Sequence, residues 1–242
     1  MTRDEYLSAL RQDGGAMAAT STSALGTRVP ACPDWDVSEL IGHTGSVHRW
    51  VDYVLRLPEG EKPRRDGGAT APGGQGNLAW FREGLDSLIS ALETTSPDKP
   101  VFTLTGVQPA SWWLRRITHE TAIHRWDLQD ALGTADGFGA DLARDGIDEL
   151  LDVMAPRRFD YGKFGASGQT IHLHATDGEG EWFVTVGPDS LAWEHGHQKG
   201  DVAARGPLRD LYLLVWSRIE PDKLDVVGDA SLLKRFQDAS NI

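Results

Sequence analysis

Apolar residues recur every three or four positions through the first two thirds of the chain and every second position through much of the remainder. Tyr6, Leu7, Leu10 and Met17 predict a helix from Asp4 to about Met17, weakened after Gly14-Gly15. In CPDWDVSEL, Asp36 and Glu39 have the spacing of a capping box, which predicts a helix over Val37–Leu55 with the stripe Leu40, His43, Val47, Trp50, Val54. Residues 57–76, rich in proline and glycine, read as a connection with the character of a mobile lid. Their GGQGN ending resembles a phosphate-cradling turn, but no strand precedes it and no Lys-Ser/Thr follows, so it reads as a flexible loop. Asn77 is the expected cap of a third helix, with Leu78, Phe81, Leu85, Leu88 and Leu92 on one face. RRITHETAIHRWDLQDA, Arg115–Ala131, supplies a fourth, on the face Trp113, Ile117, Glu120, His124, Leu128, Ala131. Four such helices predict an antiparallel four-helix bundle, with a further helix over Ala140–Met154 leading out of it.

After APRRFDYGKFGASG the period changes to two. QTIHLHAT and EWFVTVG alternate as strands around the turn DGEG, and SLAWEHG adds a third. Pro207 opens a helix carrying Leu211, Leu214 and Val215, KLDVVG reads as a strand, and Asp229 caps a last helix through Phe236. The expectation is an α+β chain of two domains, a helical one over 1–155 and a small α+β one over 156–242.

A formal charge of -12 and the lack of a basic stripe argue against nucleic acid as a partner and leave a small molecule as the natural one. No apolar run has the length of a membrane span, and MTRDEYLSAL lacks the basic start and apolar block of a secretory signal, so the expected location is cytoplasmic. Cys32, placed before Pro33 at an expected helix entrance, is read as a small packed side chain in preference to an activated thiolate.

The stripe of the fourth helix contains two residues that do not belong in a core. Glu120 and His124 are four apart and share the apolar face, and His43 holds the equivalent place on the second helix. Such groups are costly to bury unless they find partners. Either Glu120 and His124 form a buried hydrogen bond with His43 satisfied elsewhere, or all three ligate one divalent cation and leave a position open for water or substrate, as in catalytic zinc and non-haem iron sites. Asp127 is the candidate acceptor behind His124, and His119, turned about 100° from Glu120, is expected outside the site.

Three stretches, VPACPDWDVSELIGHTGSVHRW, RRITHETAIHRWDLQDA and RGPLRDLYLLVWSR, resemble the mycothiol-dependent maleylpyruvate isomerase family, a branch of the DinB-like metalloenzymes, in order and spacing across nearly the whole chain. The resemblance implies a DinB-like bundle whose divalent metal, usually zinc, is held by His43, Glu120 and His124, followed by a sterol-carrier-like domain. It also implies mycothiol as thiol cofactor or cosubstrate, a small electrophile as partner, and cis–trans isomerase or S-transferase chemistry. The arginine that this second domain contributes corresponds to Arg218, although the family more often has glycine where this chain has Ser217. Without the family, Arg218 reads as a charge at a helix C-terminus.

Three other readings compete. A zinc hydrolase without a thiol would need a general base that the sequence does not offer. His172, His174 and Glu179 in HLHATDGE have the spacing of a cupin metal motif, yet the flanking glycines are displaced and no second histidine motif follows. A non-catalytic, metal-stabilised ligand-binding protein is the third. HGH at 195–197 reads as ordinary solvated groups.

Overall fold

The computed structural model describes residues 1–64 and 67–240. The chain is α+β and forms two compact units, Met1–Gly137 and Phe138–Ile242.

The first unit holds four long helices, α1 (Arg3–Ala18), α2 (Val37–Arg56), α3 (Gly76–Thr94) and α4 (Ser111–Ala131), with two short hairpins between them, β1 (Arg28–Val29) with β2 (Cys32–Asp36) and β3 (Pro100–Thr103) with β4 (Gly106–Pro109). Capping boxes start α1 at Thr2/Glu5 and α2 at Asp36/Glu39. Lys99 closes the other end of α2, donating to the carbonyls of Leu55 and Leu57 at 2.8 and 2.6 Å. Helix α2 packs against α3 and α4, and α1 packs against α4 and α3. The stripes meet in a core that includes Leu10, Leu40, Ile41, Phe81, Leu88 and Ile117. Each such side chain, fully buried, contributes about 1.5–3 kcal/mol.

Helices α2 and α3 approach closely because α2 carries glycine where they touch. A Cβ on Gly45 would lie 2.7 Å from the Trp80 ring, and one on Gly42 would lie 2.7 Å from the Asn77 amide. Asn77 is not the cap of α3. It is buried, accepts from the Gly73 N–H at 2.8 Å and donates to the Ser38 carbonyl at 2.8 Å, so it fastens the end of the 57–76 segment to the first turn of α2. The lid expected over that segment includes residues 65 and 66, which lie outside the described residues. CPDWD, expected at a helix entrance, is strand β2, because Asp36 caps the helix only after Trp35 has passed in extended backbone.

In the second unit, α5 (Ala140–Glu149) runs through a wide π turn, Leu150–Met154, into the short α6 (Ala155–Arg158), and α7 (Tyr161–Phe164) follows. Strands β5 (Gln169–Ala175), β6 (Glu181–Val186), β7 (Leu191–His195), β8 (Val202–Gly206) and β9 (Asp225–Gly228) form one sheet in the order β7-β6-β5-β8-β9. Helix α8 (Leu208–Val215) lies between β8 and β9 in sequence, and α9 (Ser231–Ser240) ends the unit. The β5–β8 pair is parallel and the other pairs are antiparallel. Ile171, Leu173 and Val184 on one sheet face meet Leu214 and Val215 of α8 and Leu233 and Phe236 of α9.

The units divide at 137/138, eighteen residues before the boundary expected from the change of period. Helix α5 has helical periodicity, but its apolar face packs on α8 and so belongs to the sheet unit. No helix among the described residues is long and apolar enough to cross a membrane.

One buried ion pair ties α1 to α4. Arg125 Nε donates to Asp13 Oδ1 at 3.1 Å, and both side chains are buried. Burial pushes the Asp13 carboxyl up, and the charge of Arg125 only partly offsets this. Arg125 also donates to Gln129 and Asp136. Asp13→Ala is therefore expected to cost about 2 kcal/mol in urea unfolding, less than the 3–5 kcal/mol or so of a buried charge left with no partner.

Candidate metal centre

The centre forms where α2 meets α4. His43 is on the second turn of α2, and Glu120 and His124 are one turn apart on α4. One ligand atom from each lies within 4.8 Å of the other two. His43 Nε2 is 3.3 Å from Glu120 Oε1, and His124 Nε2 is 3.4 Å from the same oxygen. The side chains are 37%, 15% and 9% exposed in the order His43, Glu120, His124, so the site is open on the His43 side.

Burial alone would raise the pKa of Glu120. The Arg116 guanidinium, which donates to Glu120 Oε2, and hydrogen bonds from His124 and His43 outweigh it and hold the carboxyl well below the usual range. His124 Nδ1 donates to Asp127 Oδ2 at 3.0 Å. That bond fixes the tautomer and leaves Nε2 facing Glu120 and His43. Burial opposes a charge on His124, yet the Asp127 hydrogen bond and Glu120 together lift its pKa to about 9.

His48, one turn beyond Thr44 on α2, is fully buried beside the Phe81 ring. Thr121 Oγ1 donates to the Ile117 carbonyl at 2.8 Å, so it accepts from His48 Nε2 at 2.9 Å. His48 Nδ1 is left as an acceptor without a hydrogen bond. Burial pushes this imidazole down to about 3, so it stays neutral.

Trp35 of β2 stands over the open side, its ring centroid 4.7 Å from that of His43 and 6.4 Å from that of His124. Neither Trp35 nor Arg116 is singled out by helical phase. Arg116 has a sequence signal, its place four residues before Glu120, but its importance comes from being buried beside a largely buried carboxylate. His119 is buried, with its ring edge-on to Tyr6.

The donor set suits a divalent cation. Two imidazoles and one carboxylate converge, the tautomer of His124 is fixed by a carboxylate behind it, and three protein donors leave room for an exogenous ligand. Glu120 and Asp127, the carboxylates at the centre, are both engaged by cationic or N–H partners.

In the second unit, Arg218 follows α8. Ser217 before it has φ 60°, the left-handed conformation that glycine adopts most easily, and Arg218 Nη1 donates to the Trp216 carbonyl at 2.7 Å. Glu179 does not join His172 and His174. It lies in the turn between β5 and β6, its carbonyl accepting from Arg144 at 2.7 Å, and the carboxylate beside the two histidines is Glu181.

Comparison with known families assigns residues 7–129 to the mycothiol maleylpyruvate isomerase N-terminal domain and residues 141–235 to the C-terminal domain of the same family. The chain belongs to the mycothiol maleylpyruvate isomerase family. Among solved structures, this family member is similar to a mycothiol-dependent maleylpyruvate isomerase, with TM-score 0.64 at 16% identity over 93% of each chain. It is similar too to a histidine-to-alanine variant of a mycothiol-dependent maleylpyruvate isomerase, with TM-score 0.62 at 15% identity over 93% of each chain. At such identities the likeness establishes the fold. No curated protein sequence matches the chain.

Two measurements check the centre. Because a cation must displace the proton of His124, zinc affinity is expected to rise about tenfold per pH unit between pH 7 and 8.5 in competition titrations, and a flat profile would contradict a protonated His124 in the metal-free protein. Asp127→Asn is expected to weaken zinc binding about 10- to 100-fold at pH 7.5 without removing a ligand.

Proposed function

We propose that the protein is a divalent-metal-dependent, mycothiol-dependent enzyme that acts on a small electrophile, by cis–trans isomerisation or by S-transfer. On this reading the first unit is a DinB-like four-helix bundle and the second a sterol-carrier-like α+β domain. The observation that carries the proposal is the convergence of His43, Glu120 and His124 in a chain of which both parts match the family. Zinc is the metal the donor set suits best.

When bound, the cation and the thiol together supply a thiolate near neutral pH, a nucleophile suited to an alkene conjugated with a carbonyl. The remaining tasks belong to the chain. Glu120 supplies one negative charge, kept ionised by Arg116. Asp127 holds the His124 ring so that Nε2 faces the cation position. Trp35 covers His43 and narrows the open side, which limits the access of water. His48 keeps a neutral ring behind the centre and adds no further positive charge. To Arg218 we assign a substrate carboxylate, which its planar guanidinium fork fits. A hydrolase would need a base to activate water, and the two carboxylates of the centre are already committed.

The expected outcome is turnover of a cis-configured, carboxylate-bearing enone such as maleylpyruvate, or S-conjugation of an electrophile, only when zinc and mycothiol are both present. His43→Ala and Glu120→Gln should each lower kcat/KM by more than about 100-fold. Arg218→Ala should raise KM about 10- to 100-fold for carboxylate substrates with mycothiol binding unchanged. The check is a spectrophotometric and mass-spectrometric assay beside calorimetric titration of mycothiol. Thiol-independent turnover, or no saturable mycothiol binding to the zinc form, would remove the proposal.

A further inference from the structure

We propose that the second unit holds a divalent transition-metal ion of its own, on the sheet face opposite its apolar core, ligated by His172, His174, Glu181 and His197. One ligand atom from each of the four lies within 4.8 Å of the others. This site is independent of the centre in the first unit, and its chemistry is read from the sheet alone.

The strand period accounts for three of the donors. Ile171, Leu173 and Ala175 of β5 are buried in the core, so His172 and His174 share the opposite face. Glu181 of β6 is the antiparallel partner of His174, which puts its carboxylate on that face as well. His197 comes from the loop after β7, and this loop is fastened to β5. Asp201 N–H donates to the Thr170 carbonyl at 3.1 Å, and the Asp201 carboxylate accepts from the Thr170 N–H and hydroxyl at 2.8 and 2.9 Å. Gly200 lies so near β5 that a Cβ there would be 3.1 Å from His172 N and 2.8 Å from the Val202 carbonyl, which leaves space only for glycine. The loop so held turns the His197 ring perpendicular to that of His172, with centroids 4.9 Å apart.

The contacts inside the cluster are those of lone pairs converging, with few aligned hydrogen bonds. Glu181 accepts one, from His197 Nδ1 at 3.1 Å. His174 Nδ1 is 2.6 Å from Glu181 Oε1 but makes no hydrogen bond with it. His172 is 5% exposed, and its Nε2, 3.7 Å from Glu181 Oε2, has no hydrogen-bond partner. Buried polar atoms without partners are few in native proteins. A single cation among the four donors would satisfy them all. Three imidazoles and one carboxylate suit zinc and neighbouring first-row ions and not calcium or magnesium, which take oxygen donors. Four protein donors fill a tetrahedral shell, so the site is structural, and it would staple the 196–201 loop across β5 and β6.

The test is zinc content per chain in the untagged, full-length protein, stripped of metal and re-equilibrated with buffered zinc. Wild type should hold about two equivalents and His43→Ala/Glu120→Gln about one. Adding His197→Ala to that double variant should weaken the remaining site by at least about tenfold, and adding His172→Asn with His174→Asn should empty it. His197 is exposed, so its substitution leaves the core intact, and the rise in Tm that zinc gives the His43→Ala/Glu120→Gln protein should shrink with it. A folded His43→Ala/Glu120→Gln protein that holds no zinc overturns the proposal, as does one whose zinc is unchanged by His197→Ala and by the His172/His174 pair. Were the first centre absent instead, wild type would hold one equivalent insensitive to His43→Ala and lost with His172 and His174, so the two failures are distinct.

Discussion

The first unit is organised around a carboxylate in a place where a carboxylate is expensive. Glu120 stands on the inward face of α4, between Ile117 and His124, and burial there favours the neutral acid. It stays charged because Arg116, one turn earlier on the same helix, is buried with it, and because imidazoles from two helices point at its other oxygen. A largely buried carboxylate with one cationic partner and two imidazoles is close to balanced as a metal-free network. On the proposed reading, a divalent ion would take the place of the proton shared between Glu120 and His124.

This arrangement constrains the elements around it. His43 reaches Glu120 only if α2 lies close to α4, and α2 is held there by its own hydrogen bond to α4, His48 to Thr121. The glycines at 42 and 45 let α3 press against the other side of α2. Asn77 and Ser38 then lock the start of α2, the capping box sets its direction, and Lys99 closes its far end. The residues that position His43 are therefore spread over several elements, though the side chains that converge number only three.

How much of this could be read from the sequence depended on whether the signal was periodic. Helical phase placed His43, Glu120 and His124 on inward faces, and the structure brings those three side chains together. It also placed Asp127 behind His124. Phase could not show Trp35, which reaches the site from a strand, nor Arg116, whose weight comes from burial. The strand β8 follows a single inward valine, Val202, with alanine and glycine at its other inward positions, too little apolar contrast to mark a strand, and the β3–β4 hairpin is too short for a period to register. The boundary between units was displaced because α5 continues the helical period while packing on α8. Asn77 looked like a cap because it precedes an apolar stripe, but its amide is needed across the helix pair.

The two clusters of histidine and glutamate show one sequence rule acting with two periods. On α4 the donors are four apart, and the helix turns them to one side together with a compensating arginine also four apart. On β5 the donors are two apart, and the carboxylate is supplied across the ladder by β6. A helix pair leaves such donors open on one side, that of His43, which would suit an exchangeable ligand. A sheet face with an anchored loop beside it adds a fourth donor, His197, which would suit a cation held by protein atoms alone. The difference between three donors and four thus follows from the secondary structure that carries them, because the residue types are nearly the same.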